Sequence, residues 1–451
     1  MSAYLTFYSG VGSVTGANFL LELGNRRILV DCGLIQGDKV SQRQNREAFG
    51  YNPATIDILF ITHAHLDHVG RIPKLVKEGF RGKIFSTPQT RDLAELILED
   101  AVGLLHKEAL REGETPLYEI EDMKLAFSLW ETIPYHENRN FENFSVYLKD
   151  AGHILGSSIF EFSYEGKKIV FTGDLGNTPT PLLRDTESIN GADYVVMESV
   201  YGDRNHEPKD QRRNKLENLI KETVSKKGAL IIPAFSLERT QVLLYEINKL
   251  VESKDIPNIP VYVDSPLATK VTDIYKASTK LFNERAQTEI RNGDDIFNFP
   301  KLSFTVNAED SKAIDHAKDP KIILAGSGMS VGGRVIHHEE VNLNDPKDTV
   351  LLVGYQTLGS IGRQLLDGAK KVRIFDQEIQ VKAKVDSIMA YSSHKDSDHL
   401  LEFAQTFGEK VKKVFVAMGE PKSSLFLAQK IRDNLGMDAI YPERLKRYEL
   451  K

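Results

Sequence analysis

Short apolar runs recur along the chain, and each of them stops at a polar or glycine-rich turn. Because these runs lack polar alternation, they are typical of strands that are buried on both faces of a sheet. The runs are ILVDCG (28–33), DILFITHAH (57–65), KIVFTGD (168–174), YVVMES (194–199), ALIIPAFS (229–236), VYVDSP (261–266), IILAGSG (322–328), VLLVGY (350–355), IMAYSSH (388–394) and VFVAMGE (414–420). The pattern therefore predicts sheets that are covered by helices.

Helical patterns lie between several of these runs, at residues 71–79, 91–110, 239–253 and 399–407. Strands that alternate with helices indicate an α/β architecture, in which functional side chains usually follow the carboxyl ends of the strands. Polar residues of this sequence cluster at those ends. The stretch 291–310 has neither pattern, and we expect it to be a long surface connection.

The composition narrows the class of protein. The chain has 451 residues, of which 41% are apolar and 27% charged, and its net charge is -6. This length predicts two or three domains, and the apolar fraction excludes a mostly disordered chain. The single cysteine, Cys32, excludes a disulfide framework and a cysteine-based zinc module. With no secretory signal and no run of roughly 18 apolar residues, we expect a soluble, cytoplasmic protein without a membrane partner.

The strongest chemical signal is His63-Ala-His65-Leu-Asp67-His68, which directly follows the apolar strand ILFIT. Three imidazoles and a carboxylate within six residues are hard to explain by packing, since the chain has only 12 histidines. Zn²⁺ prefers such nitrogen and oxygen ligands, and a tight turn can direct them toward two neighbouring points. The alternative, a solvated polar turn, is the weaker interpretation. The segment therefore predicts a metal site.

Three residues outside this segment are candidates for completing the metal site. His153 lies in the glycine-flanked turn AGHILGS, and Asp174 ends a strand in TGD. Taken alone, each is an ordinary turn residue; taken with the cluster, they supply a third nitrogen and a carboxylate that can bridge two metals. Asp31, at the end of the strand ILV, either fixes a histidine tautomer or forms an Asx turn.

In this order, the motifs resemble the metallo-β-lactamase superfamily. Five later motifs resemble its β-CASP branch of nucleases: MESVYGDR around Glu198, IPAFSLERTQ (232–241), DSPLA (264–268), AGSGMSVGGR (325–334) and AYSSHKD (390–396). The resemblance implies an α/β fold, a four-layer αββα metallo-β-lactamase sandwich with an inserted α/β β-CASP domain. It places the sandwich at residues 1–204 and 385–451 and the insertion at residues 205–384.

The resemblance also gives each candidate residue a role. His63, His65 and His153 would hold one zinc, Asp67 and His68 would help to hold a second, and Asp174 would bridge the two. A metal-bound hydroxide would attack the phosphodiester phosphorus. His394 would protonate the leaving oxygen, and Glu198 would hold that imidazole. The candidate catalytic residues are Asp67, Glu198, His394 and Asp31.

A glycine-rich segment, AGSGMSVGGR, suggests how phosphate groups are bound. It lacks the Gly-Lys-Ser/Thr ending of a P-loop, so it is either a tight turn or a nest of backbone amides that binds anions. The resemblance favours the nest. The candidate substrate-binding residues are Ser236, Arg239, Ser327, Gly328, Arg334 and Ser393.

One position departs from the family pattern. Where the family has a histidine in a V-x-x-H-G-E turn, this chain has Met418 in VFVAMGE. That histidine ligates the second zinc, and a thioether is a poor zinc ligand. The second site keeps Asp67, His68 and Asp174, so we expect it to bind metal more weakly, with Mn²⁺ as an alternative to Zn²⁺.

The resulting hypothesis is a zinc-dependent ribonuclease that cuts single-stranded RNA as an endonuclease, a 5′-exonuclease or both, with a homodimer as one expected assembly. Residues 205–384 hold 27 Lys and Arg against 25 Asp and Glu, so the insertion is less acidic than the rest of the chain. Two alternatives stay open. Met418 makes a weakly active or inactive RNA-binding homologue credible, and the fold also carries small-molecule hydrolases.

Overall fold

The structure, a computed structural model, describes residues 2–37 and 43–451. Within these residues the chain forms two compact units. The first unit is assembled from the described residues of Met1–Thr180, together with Arg184–Asn205 and His394–Lys451. The second consists of Pro181–Leu183 and His206–Ser393. The domain limits inferred from the resemblance, with the insertion at residues 205–384, stay a prediction.

Strands and helices are numbered here in chain order. The strands are β1 (Ala3–Ser9), β2 (Asn18–Leu23), β3 (Arg26–Val30), β4 (Ile58–Phe60), β5 (Lys83–Ser86), β6 (Trp130–Thr132), β7 (Asn138–Asn140), β8 (Ser145–Asp150), β9 (Ser158–Tyr164), β10 (Lys167–Phe171), β11 (Tyr194–Met197), β12 (Ala229–Pro233), β13 (Val261–Asp264), β14 (Leu302–Phe304), β15 (Lys321–Ala325), β16 (Thr349–Leu352), β17 (Lys371–Ile374), β18 (Gln377–Gln380), β19 (Lys384–Ser387), β20 (Lys413–Val416), β21 (Ala439–Ile440) and β22 (Arg447–Leu450). The α-helices are α1 (Leu66–Val69), α2 (Ile72–Lys77), α3 (Pro88–Glu112), α4 (Ile120–Ser128), α5 (Arg212–Ser225), α6 (Arg239–Glu252), α7 (Pro266–Ala277), α8 (Glu284–Arg291), α9 (Ala308–His316), α10 (Val335–Asn342), α11 (Ile361–Leu366), α12 (Ser397–Gln405) and α13 (Pro421–Leu435).

Two seven-stranded sheets make up the first unit. Their strand orders are β22-β1-β2-β3-β4-β5-β6 and β21-β20-β11-β10-β9-β8-β7. One apolar core joins them, with Phe7 and Phe60 from the first sheet and Phe162 and Phe415 from the second. Because the other face of the second sheet packs against apolar residues of α12 and α13, its central strands are buried on both faces.

The second unit contains a six-stranded sheet in the order β14-β13-β15-β12-β16-β19, and every pair in it is parallel. Strands β12 and β15 are buried along their whole length, as the unbroken apolar runs predict. Strands β12 and β15 are neighbours in the sheet, and the chain leaves β12 toward β13 but leaves β15 in the opposite direction, toward β16. Such a switch point is where open α/β sheets place ligands. The predicted α/β architecture is confirmed.

Two expectations about single segments are wrong. Residues 388–394 do not form a strand: β19 ends at Ser387, and Met389–Tyr391 form a 3₁₀ turn. The apolar side chains there are buried because the turn folds back, with the Ser392 N–H donating to the Met389 carbonyl. The segment 291–310 is not a long surface connection either, because it contains β14 and the buried side chain of Phe297.

Within the part of the chain that the structure describes, no helix is both long and apolar enough to cross a bilayer.

Candidate metal and catalytic centre

The chemistry-bearing side chains of the first unit follow the carboxyl ends of parallel or adjacent strands. His63 and His65 come directly after β4, and His65 is the N-cap of the short helix α1, which carries Asp67 and His68. The turn bearing α1 packs tightly: a Cβ on Gly33 would lie 1.4 Å from the Asp67 carbonyl oxygen, so only glycine fits there. The sequence thus places two imidazoles before the helix and two more ligands within it.

Four of the predicted ligands lie together. One ligand atom from each of His63, His65, His153 and Asp174 lies within 4.8 Å of all the others. His153 Nε2 is 3.2 Å from His65 Nδ1, and Asp174 Oδ2 is 3.4 Å from His63 Nε2 and 3.6 Å from His153 Nε2. Ligands on a tetrahedral zinc, at about 2.0–2.2 Å from the ion, lie roughly 3.3–3.6 Å apart. The spacing of these four groups therefore fits one such ion.

The remaining two ligands lie beside the first cluster. His68 Nε2 is 3.5 Å from Asp174 Oδ1 and 3.8 Å from Asp67 Oδ2. Asp174 therefore turns one carboxylate oxygen toward His63 and His153 and the other toward His68. This is the arrangement that a bridging carboxylate requires, and it agrees with the role that the resemblance implies for Asp174.

Unsatisfied buried atoms supply an independent test of the fit. His63 Nε2, His68 Nε2 and Asp174 Oδ1 are buried and have no hydrogen-bond partner among the described residues. Leaving such atoms unpaired costs free energy, and a divalent metal is a partner that both imidazole nitrogens and carboxylate oxygens can bind. The donor set therefore fits a divalent metal.

Burial and neighbouring groups set the protonation of the cluster. Burial and the nearby His63 lower the pKa of His65, and burial and His394 lower that of His153. Burial alone would raise the pKa of Asp174, but His68 and His63 hold it well below its usual range. Neutral His65 and His153 beside an ionised Asp174 are in the forms that a metal ligand requires. For His68, burial alone would lower the pKa, but Asp174 and Asp31 outweigh it and raise that pKa well above its usual range.

His394 and Glu198 form a pair at the edge of the cluster. His394 Nδ1 lies 3.1 Å from Glu198 Oε2, and the Leu175 N–H donates to Glu198 Oε1 at 2.6 Å. Burial works against the charged imidazole, but Glu198 outweighs it and raises the pKa of His394 to about 9. His394 is thus held protonated at neutral pH. Ligand atoms of Asp174, Glu198 and His394 also lie within 4.8 Å of one another, so the pair is in direct reach of the carboxylate that faces both ligand groups.

A buried hydroxyl that the motif analysis passed over lies behind the ligands. Thr62 Oγ1 is 3.0 Å from His63 Nδ1 and donates to Asp31 Oδ2 at 2.8 Å. Asp31 Oδ2 is also 2.8 Å from His68 Nδ1, so Asp31 contacts the ring of a predicted ligand and does more than form an Asx turn. The sequence feature that could have identified Thr62 is its position as a polar residue between the apolar strand and His63.

Met418 packs into the core of the first unit. Its side chain is 3% exposed and belongs to the apolar cluster that contains Phe19 and Ala417. Met418 also lines a small cavity together with His68, Asp31 and Glu198, and this cavity has room for about one water molecule. Position 418 thus faces the second ligand group but offers it no nitrogen or oxygen donor.

The predicted substrate-binding residues all lie in the second unit. Ser236 follows β12, and its hydroxyl is 3.1 Å from that of Ser265, which follows β13. Arg239, in the first turn of α6, donates to the Ser393 hydroxyl at 2.9 Å. Two pairs of polar side chains, Ser236 with Ser265 and Arg239 with Ser393, therefore lie in contact in this unit. Their role in binding phosphate stays a prediction.

The glycine-rich segment after β15 is tied internally. The Ser327 hydroxyl accepts from the Val331 N–H, and the Gly328 carbonyl accepts from Gln356. The Arg334 guanidinium has partners within the unit: it donates to Asp264 Oδ1 at 2.7 Å and to the Val306 carbonyl at 2.8 Å. These contacts orient Arg334 within the unit, and its predicted contact with substrate phosphate is untested.

Three family models match the chain. The Metallo-beta-lactamase superfamily domain matches residues 20–199, and the Beta-Casp domain matches residues 240–365. The Zn-dependent metallo-hydrolase RNA specificity domain matches residues 378–442. Every predicted metal ligand lies within the first match, and His394 and Met418 lie within the third.

Two curated relatives are similar along nearly their whole lengths. A ribonuclease of Thermus thermophilus is 35% identical over 422 residues, which cover 94% of this chain and 94% of the relative. An RNase J-like protein of Methanocaldococcus jannaschii is 31% identical over 446 residues, which cover 98% of each chain. A crystal structure of a protein of unknown function from Enterococcus faecalis matches with a TM-score of 0.57 at 13% identity, covering 100% of both chains. That last likeness concerns the fold alone.

Proposed function

Because the chain belongs to the β-CASP branch of metallo-β-lactamase nucleases, we propose that it is a zinc-dependent ribonuclease that hydrolyses single-stranded RNA. The family confirms the predicted fold class, a metallo-β-lactamase sandwich with an inserted β-CASP domain, and makes the protein a metal-dependent hydrolase. The observation that carries the proposal is Asp174, whose two oxygens face two adjacent groups of ligands.

The donor sets support zinc as the metal. We assign His63, His65, His153 and Asp174 to one ion and Asp67, His68 and Asp174 to the other. When bound, zinc would lower the pKa of water toward about 7 and stabilise the negative charge that develops on the phosphate. With two carboxylates and one imidazole, the second group also suits Mn²⁺.

His394 and Glu198 support the proton-transfer role that we assign to them. The pKa of His394 is raised to about 9, so the imidazolium is the main form at neutral pH. Since Nδ1 is engaged by Glu198, Nε2 carries the proton that we propose is delivered to the leaving oxygen. Glu198 is itself fixed by the Leu175 N–H, so the imidazole is held in one orientation.

The substrate is proposed from three supports of different kinds. One matched model is described as an RNA specificity domain, and the similar Thermus protein is named a ribonuclease. The hydroxyl and guanidinium groups at the strand ends of the second unit suit phosphate oxygens. The single-stranded form of the RNA is part of this proposal, and comparison with a duplex of the same sequence tests it.

Cleavage of labelled RNA with metal counting tests this function. The zinc-loaded protein is incubated with 5′-labelled single-stranded RNA, the same sequence as a duplex, the matching DNA, and a circular RNA. We expect loss of the single-stranded RNA and none in Asp67→Ala. Cleavage of the circle identifies an endonuclease, and cleavage confined to the linear RNA identifies an exonuclease. Tight RNA binding without cleavage, even with added Mn²⁺ or Zn²⁺, would contradict the proposal and favour the inactive RNA-binding alternative.

Two expectations stay predictions beside this function. A homodimer is tested by light scattering on the eluted protein, and a cytoplasmic location by fractionation of the source cells. A small-molecule hydrolase is distinguished by assaying thioester and lactone substrates with the same metal-loaded preparation.

A further inference from the structure

We propose that Thr62 is a positioning residue that, together with Asp31, fixes the tautomers of one imidazole from each metal group. The inference rests on the proposed function only in taking His63 and His68 as metal ligands. It concerns a hydroxyl that neither the motif nor its spacing identifies. Its basis is a buried three-way contact behind the ligands.

Both partners of this contact are shielded from water. Thr62 and Asp31 are each 1% exposed. Thr62 donates two hydrogen bonds to the Asp31 carboxylate. Oδ1 accepts from the Thr62 backbone N–H and Oδ2 accepts from the Thr62 hydroxyl, both at 2.8 Å. Asp31 itself has a φ of 62°, and its N–H donates to the Phe60 carbonyl at 2.8 Å. The carboxylate is therefore held in place by contacts that involve no imidazole.

Proton counting then decides the tautomers. A hydroxyl carries one proton, and Thr62 gives it to Asp31 Oδ2, so its oxygen can only accept from His63 Nδ1, 3.0 Å away. A carboxylate only accepts, so His68 Nδ1, 2.8 Å from Asp31 Oδ2, must also carry a proton. Both rings thereby keep Nε2 for a metal, and both Nε2 atoms are the ones that lack a hydrogen-bond partner in the described residues.

One carboxylate thus orients ligands of two metal groups. His63 belongs to the group with His65 and His153, whereas His68 contacts Asp67 and Asp174. Thr62 Oγ1 is 3.0 Å from the first ring and 3.3 Å from the second. Loss of this hydroxyl should therefore weaken both metal positions together, although Thr62 contacts neither metal.

The surroundings of Thr62 provide an isosteric test. A Cβ on Gly173 would lie 2.7 Å from Thr62 Cβ, so the carbon skeleton of Thr62 is packed against the turn that carries Asp174. Thr62→Val keeps that skeleton and removes the hydroxyl, whereas Thr62→Ser keeps the hydroxyl. The zinc dissociation constants of the three proteins are measured by competition with a chromophoric chelator. Thermal unfolding of each metal-free protein reports on the fold.

We expect Thr62→Val to weaken zinc binding roughly 10- to 100-fold at both positions, and Thr62→Ser to stay within about threefold of the wild type. Wild-type affinity in the valine variant overturns the proposal, as does an equal loss in the serine variant. A wild-type protein that binds no zinc overturns it together with the proposed function. Zinc binding that responds to Thr62→Val in a protein that does not cleave RNA supports the positioning role and removes only the function.

Histidine ring spectra of the wild-type protein keep the proposal testable even where a variant fails to fold. In ¹H–¹⁵N spectra of the zinc-loaded protein, we expect the ring proton of His63 and His68 on Nδ1. His65, which turns Nδ1 toward His153, should carry its ring proton on Nε2. A proton on Nε2 of His63 or His68 overturns the proposal.

Discussion

The Met418 thioether packs beside Phe19 in the core, and its side chain shares a small cavity with His68. The proposed second metal group therefore has only Asp67, His68 and Asp174 as donors, two carboxylates and one imidazole. The first group has three imidazoles and a carboxylate. The two metal groups differ in the number and softness of their donor atoms, so we expect their metal affinities to differ.

Restoring a nitrogen at position 418 should strengthen the second position. We expect Met418→His to raise the zinc content of the purified protein from about one to about two ions per chain, measured by elemental mass spectrometry after gel filtration. The physical reason is that imidazole is a good zinc ligand and a thioether is a poor one. Met418→Leu is the matched control and should leave the content unchanged; equal zinc in the histidine variant and the wild type would contradict the argument.

Removing His394 should separate chemistry from metal binding. We expect His394→Ala to slow cleavage of single-stranded RNA by roughly 10²- to 10⁴-fold, since a positioned acid contributes about that much. Its zinc content should stay at the wild-type value, because the first metal group does not contain His394. Single-turnover cleavage and metal counting are measured on the same preparation. Loss of one zinc with the imidazole would instead identify His394 as a ligand.

The candidate metal ligands could be chosen from the sequence because most of them lie in one short motif. Asp174 and His153 could be added only as candidates, since nothing in their spacing shows that they face His63. Thr62 was missed because its hydroxyl acquires a role only when β3 brings Asp31 beside it. The contact of Arg334 with phosphate stays a prediction. Its pairing with Asp264, 70 residues earlier, could not be predicted because it depends on the order of the strands.

At the scale of elements, helix α10 holds the glycine-rich segment through a buried acid. The Ser330 hydroxyl donates to Glu339 Oε1 at 2.5 Å, and both residues are fully buried. Burial raises the pKa of Glu339 to about 7, although the Ser330 hydroxyl and His338 oppose the shift. The protonated acid is thus the form that the folded helix and loop favour.

This shift predicts how pH changes stability. Between pH 4.5 and about 7 the unfolded chain releases the Glu339 proton while the folded protein retains it, so stability falls as pH rises through this window. Glu339→Gln keeps an acceptor for Ser330 and removes the titration. We expect it to raise the free energy of unfolding at pH 8 by up to about 3 kcal/mol and to change it little at pH 4.5. Urea unfolding at both pH values measures this.

The half-buried neighbour Glu340 supplies the control for that comparison. Glu340→Gln should give the same small change at both pH values. A Glu339→Gln variant whose gain is no larger at pH 8 than at pH 4.5 would show that the buried carboxyl is not the source of the dependence.

Strands were the elements that the sequence predicted best. Runs such as ALIIPAFS and IILAGSG became β12 and β15 because uninterrupted apolar residues suit a sheet covered on both faces. The strand predicted at 388–394 was wrong because its apolar residues are buried by a turn. Periodicity alone does not distinguish a buried turn from a short buried strand.

At the scale of the whole molecule, the metal groups belong to one of two compact units. Every predicted metal ligand lies in the first unit, whereas every predicted substrate-binding residue lies in the second. The unit that contains the ligands also contains the orphaned buried atoms of His63, His68 and Asp174. A ligand that binds only the folded form stabilises the unit that holds it.

Metal removal should therefore act locally. In hydrogen exchange followed by mass spectrometry, we expect zinc to protect peptides covering residues 57–70 and 151–176 compared with the chelator-treated protein. Peptides covering β12 and β15 should exchange at the same rate in both states, which makes them the internal control. Protection spread equally over both units, or absent from both, would contradict the assignment of the metal to the first unit.

The strand pairing of the first unit has a consequence for the order in which a ribosome makes this protein. Strand β22 pairs with β1, Leu450 opposite Ala3, while the second unit is nearly continuous from His206 to Ser393. The second unit can therefore fold as it leaves the exit tunnel, whereas the first must wait for its edge strand. All predicted metal ligands are synthesised before the insertion, but His394 is made after it. A nascent chain thus acquires the predicted metal ligands early and the predicted proton donor, His394, only after the insertion has been translated.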